Sequence, residues 1–223
     1  MNKKVKTAEL FGSLPNYISP LFDGAEYPWE ILPKIKGYIA ELLASPPEGF
    51  SLLREGVLVG EGVKISPLST IDPPAVLGAG TEVRPGAYIR GNVITGERCV
   101  IGNSSELKNC VLMGRAQVPH YNYVGDSVLG AGAHMGAGAI CSNLKSGGGN
   151  VTVHGDAEYA TGLRKLGAIL GDGADVGCGC VLNPGTVIGK GSRIYPLTPV
   201  RGVIGEGMIV KSMDNIVEME KDR

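Results

Sequence analysis

Residues 108–143 gather the side chains of this chain that are best suited to chemistry. They include two of the three histidines, His120 and His134, a Tyr-x-Tyr pair at Tyr121 and Tyr123, and a cluster of glycines. An imidazole titrates near neutral pH, so a histidine exposed beside a groove can act as a general base. His120 is the main candidate. On the residues alone, a surface histidine that hydrogen-bonds a neighbouring coil is the more common case.

The composition of the 223 residues excludes several classes of protein. A formal net charge of −1 provides no basic field for nucleic acid. No apolar run reaches the roughly 20 residues that cross a membrane, and the N-terminus lacks the apolar segment of a signal peptide. Five cysteines without a secretion signal indicate reduced thiols and a cytoplasmic protein. The 35 glycines and 5% aromatic residues indicate repeated tight turns.

From Val59 onward, aliphatic residues recur every six positions, with two steps of five and one interruption. The positions are Val59, Ile65, Ile71, Leu77, Val83, Ile89, Thr95, Ile101, Leu107, Leu112, Val118, Val124, Leu129, Met135, Cys141, Leu170, Val176, Leu182, Ile188, Ile194 and Val200. A period of six fits neither an α-helix nor a simple strand alternation. It fits a coil of three short faces, each pointing one aliphatic residue inward, with every strand paired to the strand of the next coil.

The sequence therefore predicts an all-β solenoid, a parallel β-helix of hexapeptide repeats with about seven coils, over residues 57–210. A long loop at residues 142–169 interrupts it, and such an insertion is usually functional. Residues 1–56 are predicted to form a helical cap or arm, because apolar residues from Trp29 to Leu43 recur at helical spacing. This helix would cover the open end of the solenoid or pack between subunits. Residues 211–223 are predicted to be a solvated tail or a short helix.

Three motifs are more specific than the repeat. They are E-x-K at residues 106–108, P-H-x-x-Y-V-G-D at residues 119–126 and G-A-G at residues 136–138, completed by Asn143. This stretch resembles the acetyltransferase half of the bifunctional GlmU family and of related sugar-nucleotidylyltransferase proteins. The resemblance implies a left-handed β-helix, a homotrimer with sites between subunits, and acetyl-CoA as donor to an amino sugar phosphate or nucleotide sugar. The family's nucleotide-binding half has no counterpart in residues 1–50, so uridylyl transfer is not expected.

The resemblance also implies roles on the acceptor side. His120 matches the base that takes a proton from the sugar's amino group as this group attacks the acetyl thioester. Asn143 matches a residue at the reacting centre, and Lys108 and Tyr123 match residues that hold the sugar phosphate. An amine and a thioester need little more than alignment and a base, so positioning can carry most of the catalysis.

On the donor side, Ala137 matches a residue whose backbone meets the acetyl-CoA arm. Cys178 stands where the family has a serine near that arm. Lys211 completes the predicted donor site.

The phosphate-binding arginine has two candidates. A motif R-P-G-A that begins at Arg84 copies the arginine motif of the family. In the family, however, this arginine lies one full coil before the lysine matched by Lys108. Arg90 lies 18 residues, or one coil of three six-residue repeats, before Lys108, and the six-residue period is unbroken between them. Arg90 follows Ile89 as Lys108 follows Leu107, so the two side chains should stack in one column. An arginine beside a lysine suits a phosphate, and Arg90 is therefore preferred.

The chain departs from the family at three positions. His134 stands where the family has an asparagine that contacts the sugar, and it is predicted to make that contact instead. Leu144 replaces a tyrosine, and Gly149 stands where a lysine is expected. Lys145 and Lys165 are candidates to replace that lysine, Lys165 because the loop could reach a neighbouring subunit. These changes concern the identity of the sugar more than the reaction.

Two further alternatives stay open beside a related acyltransferase with another acyl donor or amine. One is a binding or scaffold protein that kept the fold and lost turnover. The other is a zinc enzyme, because γ-class carbonic anhydrases bind zinc with histidines on this fold. Zinc needs three converging ligands, whereas His120 and His134 lie in different columns and His154 lies in the loop. Cys178 and Cys180 fit better as small apolar filler, so no metal is expected.

Overall fold

The computed structural model describes residues 3–219. From residue 57 onward they form the parallel β-helix that the repeat predicts, with the left-handed coil that the family resemblance implies. The strands in chain order are β1 Phe50–Arg54, β2 Val57–Gly60, β3 Lys64–Ile65, β4 Thr70–Asp72, β5 Ala75–Leu77, β6 Glu82–Val83, β7 Tyr88–Arg90, β8 Val93–Thr95, β9 Val100–Asn103, β10 Glu106–Leu112, β11 Gln117–His120, β12 Tyr123–Leu129, β13 His134–Met135, β14 Ile140–Cys141, β15 Thr152–His154, β16 Glu158–Ala160, β17 Ala168–Leu170, β18 Asp175–Val176, β19 Val181–Leu182, β20 Thr186–Ile188, β21 Arg193–Ile194, β22 Pro199–Val200, β23 Val203–Ile204, β24 Met208–Ser212 and β25 Asn215–Glu218. Coils nearer the C-terminus are called upper coils.

Three faces build the helix, and each is a ladder of parallel strands from successive coils. The first face holds β2, β5, β8, residues 110–112 of β10, residues 127–129 of β12, β17, β20 and β23. The second face holds β3, β6, β9, β11, β13, β18, β21 and β24. The third face holds β4, β7, the first halves of β10 and β12, β14, β19 and β22.

The residues that recur every six positions point inward and form the core. All of them are buried except Val59 and Ile65, which lie in the first coil and are partly buried. Where the spacing shortens to five, the chain turns from the third face into the first within a single seven-residue strand, β10 or β12. Asn109 and Asp126 occupy these tight corners with φ of 47°. Asparagine and aspartate tolerate this left-handed conformation better than most residues do.

The N-terminal residues form a layer of short helices rather than one helix. The layer contains α1 (Thr7–Leu10), two 3₁₀ helices (Ser19–Phe22 and Pro28–Lys34) and α2 (Ile35–Ala44). Pro33 lies inside the second 3₁₀ helix, where its missing N–H is incompatible with a continuous α-helix. The helix predicted from Trp29 onward is therefore α-helical only in its second half.

The position of this layer corrects the expectation that it covers the open end of the solenoid. It packs along the side, over the first face, because the outward-pointing residues of that face are also aliphatic. Together with the apolar residues of the insertion, the layer buries Leu58, Val76, Ile94, Val111, Val128, Ile169, Val187 and Val203.

Antiparallel strands cover an edge at each end of the helix instead. Strand β1, which falls within the predicted N-terminal segment, pairs with β2 of the first coil. Strand β25 pairs with β24, so the predicted tail is solvated, as a mostly exposed strand rather than a short helix; residues 220–223 lie outside the described part of the chain. Both added strands satisfy backbone groups that an open edge would expose.

The insertion at residues 142–169 folds back against the upper coils. It contains the hairpin of β15 and β16. Tyr159 of this hairpin packs against Tyr27 and Trp29 of the N-terminal layer, with ring centroids 5.5 and 6.2 Å apart. Leu144 and Lys165 form a backbone bridge at the base of the loop. Among residues 3–219, no helix has the length and apolar character needed to span a membrane.

Candidate functional site

The third face carries the polar side chains predicted to hold a phosphate. Ile89 and Leu107 are opposite each other in β7 and β10, so the residues that follow them, Arg90 and Lys108, stand in one column about 4.8 Å apart. The Arg90 guanidinium donates a hydrogen bond to the Glu106 carboxylate at 2.5 Å. The Lys108 ammonium has no hydrogen-bond or ion-pair partner among residues 3–219. This column therefore offers a guanidinium and a free ammonium on one exposed face.

Tyr123 lies on the same face, one coil above Glu106. Its ring crosses Gly125, where a Cβ atom would lie 2.5 Å from the phenol oxygen, so a side chain at that position would displace the ring. Asn143 Nδ2 donates to the Tyr123 hydroxyl at 3.2 Å. Burial raises the pKa of Tyr123 more than the hydrogen bond from Asn143 lowers it. The phenol is therefore protonated near neutral pH, and its O–H remains available to a ligand.

Asp126 organises this part of the site, a role that the sequence analysis did not assign. Its carboxylate accepts hydrogen bonds from Asn143 Nδ2 at 2.6 Å and from Asn109 Nδ2 at 2.9 Å. Its backbone carbonyl accepts from the Gly167 N–H at 2.8 Å. Because Asn143 lies at the start of the long loop and Gly167 at its end, one residue fixes both ends. The Asn143 amide nitrogen is fully used by Asp126 and Tyr123, which leaves its Oδ1 as an acceptor for a ligand.

His120 ends β11 at the corner between the second and third faces, and its side chain is exposed. The buried Asn122 holds this corner. Its Oδ1 accepts from the His120 N–H at 3.0 Å, and its Nδ2 donates to the carbonyls of Gly136 and Ala139 at 2.8 and 3.2 Å. The imidazole itself makes no hydrogen bond among residues 3–219. The backbone at His120 is thus tied to the coil above, while both ring nitrogens stay accessible.

Ala137 and Cys178 stand above His120 in the same corner column. The N–H groups of Gly138 and Gly179 donate to the carbonyls of His120 and Ala137 at 3.0 and 2.8 Å, as in a parallel ladder. Two coil steps of about 4.8 Å therefore separate the backbones of His120 and Cys178. The Cys178 thiol is exposed. The candidate base and two candidates for the donor arm share one edge of the molecule.

Three other candidates lie outside the Arg90–Lys108 column and the His120–Cys178 column. Arg84 is on the second face, where its Nε donates to the Glu82 carboxylate at 3.1 Å; the letters of its motif therefore do not bring it into the column of Lys108. Lys211 is exposed in β24, also on the second face. Lys165 is exposed at the base of the loop, where it is held by its bridge to Leu144.

The histidines do not converge. His134 lies opposite Gln117 and Asp175 in the second face, and its Nδ1 is 2.8 Å from the Asp175 carboxylate. His154 lies in the hairpin, 3.4 Å from the Glu158 carboxylate. Within the described part of the chain, no group of three His, Cys, Asp or Glu side chains could hold a metal ion.

Comparisons with known proteins agree with the motifs. Residues 71–159 match the family model described as the GMPPB C-terminal domain. The bifunctional protein GlmU of Methanococcus vannielii is 31% identical over 206 residues, which cover 87% of this chain and 47% of that protein. The bifunctional sugar-1-phosphate nucleotidylyltransferase/acetyltransferase of Sulfurisphaera tokodaii is 33% identical over 197 residues, which cover 82% of this chain and 47% of that protein.

Among solved structures, the acetyltransferase domain of PglB from Neisseria gonorrhoeae, in complex with acetyl coenzyme A, is 17% identical with a TM-score of 0.36. That match covers 82% of this chain and 64% of the PglB chain. The chain spans about half the length of the curated relatives it matches. The sequence similarities confirm the resemblance drawn from the motifs at residues 106–143. The chain carries a hexapeptide-repeat β-helix domain similar to the acetyltransferase half of GlmU.

Proposed function

We propose that this chain is an acetyl-CoA-dependent N-acetyltransferase whose acceptor is an amino sugar phosphate or an amino sugar nucleotide. One observation carries the proposal: the free, exposed imidazole of His120 stands at the edge of the face on which Tyr123 and Asn143 are hydrogen-bonded together. The similarity to GlmU and to a relative named as an acetyltransferase supports the same class of reaction.

In the proposed reaction, the amine nitrogen attacks the carbonyl carbon of the thioester. A C–N bond forms, the C–S bond breaks, and the sulfur of coenzyme A leaves with the electron pair. His120 takes the proton that the amine loses and returns it to the leaving thiolate, so charge and protons balance. Alignment of the two reactants supplies much of the acceleration, and a positioned base adds roughly 10²–10⁴-fold.

The acceptor would lie on the third face. Arg90 and Lys108 would hold its phosphate through one bidentate donor and one point charge. The Tyr123 hydroxyl would donate to the same ligand, and Asn143 Oδ1 would accept a hydrogen bond from the amine. His134 lies on the second face, so it would contact the sugar only from a neighbouring subunit, through Nε2, because Nδ1 faces Asp175.

The donor would run up the corner column above His120. Ala137 has an exposed position there, and the exposed Cys178 lies one coil higher. Lys211 on the second face would meet the charged end of the donor. This arrangement lets the acetyl group reach the amine at the corner, where the two faces meet.

We also propose that the active form is a homotrimer with each site between two subunits. The third face leaves Tyr88, Ile140 and Val181 exposed by 37–38% beside its charged residues, as an intersubunit surface would. Closed cyclic assemblies are the common form of homo-oligomer. Sedimentation equilibrium at micromolar protein should give three chains per particle, and a monomer would contradict the shared site.

Release of coenzyme A with a panel of amino sugars tests the proposed activity. The panel should include free amino sugars, their 1-phosphates and their nucleotide-linked forms, each with acetyl-CoA and with longer acyl-CoA donors. Phosphorylated acceptors should react faster than free sugars because of Arg90 and Lys108. Binding of a phosphorylated sugar without release from any donor would instead favour the non-catalytic alternative.

A further inference from the structure

Above the Tyr123–Asn143 pair, the long loop encloses a cavity of about 320 Å³ against the upper coils. One wall belongs to the coils and includes Ser142, Asn183 and Arg201; the other belongs to the loop and includes Lys145 and His154. Of these residues, Lys145 is a candidate to replace the loop lysine of the family; the motifs and the proposed acceptor site use none of the others.

The coil wall continues the phosphate column of the third face. Cys141, Leu182 and Val200 are in register, so the residues that follow them, Ser142, Asn183 and Arg201, stand in one column. Successive members are about 4.8 Å apart.

The same column passes through Gly125 to Lys108 further down. The cavity therefore begins two coils above Lys108. It is separate from the place proposed for the sugar phosphate.

The loop wall is built tightly against the coils. Gly202, the residue after Arg201, has a φ of +75°, and a Cβ there would lie 2.9 Å from the His154 carbonyl oxygen. Glycine is the residue that adopts this conformation at little cost and leaves this space. The strand that carries His154 is thus held beside Arg201 by the local sequence.

The cavity collects basic groups. Lys145, His154 and Arg201 line it, and no described lining residue carries a carboxylate. Lys145 Nζ makes one hydrogen bond, to the Asn150 carbonyl at 3.1 Å, and Arg201 has no ion-pair partner among residues 3–219. His154 Nδ1 is 3.4 Å from the carboxylate of Glu158, whose side chain is 79% exposed.

We propose that this cavity binds a phosphate or diphosphate group of a nucleotide. A guanidinium gives two parallel donors to phosphate oxygens, and an ammonium adds a mobile point charge. The Ser142 hydroxyl and the imidazole supply further donors at the walls. The nucleotide could belong to coenzyme A or to a nucleotide-linked acceptor, and the chemistry at the cavity is the same for both.

Calorimetric titration with inorganic pyrophosphate tests the site without requiring turnover. Arg201→Ala should weaken pyrophosphate binding roughly ten- to hundred-fold, the range for loss of a charged hydrogen bond. Lys145→Ala should weaken pyrophosphate binding less. Because Lys145 lies on the exposed loop, this variant still tests the site if Arg201→Ala fails to fold. Arg193→Ala is the matched control, since this exposed arginine lies on the second face. Equal affinities in wild type and all variants would overturn the proposal.

Two further titrations identify the source of the phosphate. If Arg201→Ala weakens the binding of coenzyme A, the cavity serves the donor. If it weakens the binding of uridine diphosphate, the cavity serves a nucleotide-linked acceptor. Unchanged binding of both nucleotides would overturn the proposal even if pyrophosphate binding fell. Wild type that binds pyrophosphate through Arg201 but transfers no acetyl group would refute the proposed function and leave this inference standing.

Discussion

The first and third faces are made by the same coils but present opposite chemistry to the outside. On the first face the outward residues are aliphatic, and the N-terminal layer buries them; Ile94 is fully inaccessible. On the third face the outward positions hold Arg90, Lys108 and Tyr123, and the apolar Ile140 remains 38% exposed. The inward residues of both faces belong to one core. The proposed site therefore uses outward positions, which lie between the inward residues of the six-residue repeat.

The two faces also differ in what they contribute to stability. Burying an aliphatic side chain is worth about 1.5–3 kcal/mol relative to leaving it exposed, so the covered face stabilises the helix along its whole length. The outward side of the third face lacks this stabilisation by buried aliphatic side chains, and its polar groups remain accessible. It is ordered instead by hydrogen bonds, among which Asp126 joins both ends of the loop.

The largest expected effect is on catalysis at the edge of the third face. His120→Ala should lower the rate of acetyl transfer roughly 10²–10⁴-fold, because a positioned base is lost. The melting temperature should stay unchanged, since the side chain is exposed and makes no described hydrogen bond. Gln117→Ala, an exposed change in the same strand, is the control for both measurements. Activity of His120→Ala within threefold of wild type would show that another group takes the proton.

A matched pair of isoleucines tests the difference in burial directly. Ile94→Ala on the first face should cost about 2–5 kcal/mol in the free energy of unfolding, because it opens a cavity beneath the N-terminal layer. Ile140→Ala on the third face should change the same quantity by less than about 0.5 kcal/mol in the isolated chain. Denaturant titration at several protein concentrations measures both. If Ile140→Ala is equally damaging and its effect grows with protein concentration, the third face is buried in an assembly.

The two arginines sharpen the assignment of the phosphate site. Arg90→Ala should weaken binding of the amino sugar phosphate by about 1.5–3 kcal/mol, the range for a charged hydrogen bond. Arg84→Ala should have little effect, because Arg84 faces another side of the helix and pairs with Glu82. Each arginine pairs with one glutamate, so the comparison holds the local charge balance constant. A larger loss for Arg84→Ala would mean that a neighbouring subunit brings the second face to the phosphate.

Much of the fold could be predicted from the sequence because the repeat is a direct consequence of the coil. Every inward residue from Ile71 to Val200 is found where the count puts it. The position of the N-terminal layer was missed, although a signal was present. Strands such as Ala75–Leu77 are apolar at the outward position as well as the inward ones, which indicates burial on both sides. The six-residue period describes only the inward positions, so it does not indicate that the outward side is buried as well.

The sequence predicts which site residues stand in one column of the β-helix. It does not predict contacts between residues that are far apart in the chain. The register that places Arg90 beside Lys108 follows from spacing alone. The hydrogen bonds that join Asp126 to Asn143 and Gly167 span the insertion, and the spacing of the chain does not fix how an insertion returns. The left-handed corner at Asp126, where the count drops to five, was the local clue.

The cysteines provide the smallest expected effect and compare the core of the β-helix with the edge of the third face. Burial raises the pKa of Cys141 to about 12 and raises that of Cys110 well above its ordinary value. A raised pKa means less thiolate near neutral pH, and the thiolate is the species that reacts with alkylating reagents. Cys178 is exposed, whereas the other four cysteines are buried. Iodoacetamide should therefore modify the folded chain once, at Cys178, and all five thiols in denaturant, as counted by mass spectrometry.

The same reaction reports on the donor arm. If coenzyme A runs along the corner column above His120, it should slow alkylation of Cys178 several-fold, while an amino sugar phosphate bound at Arg90 and Lys108 should not. Cys178→Ser should abolish modification of the folded chain and keep acetyl transfer, because serine fills the same space with a polar group. Undiminished alkylation at saturating coenzyme A would place the donor on another edge. Early modification of Cys141 would show instead that the coils open more readily than their buried core suggests.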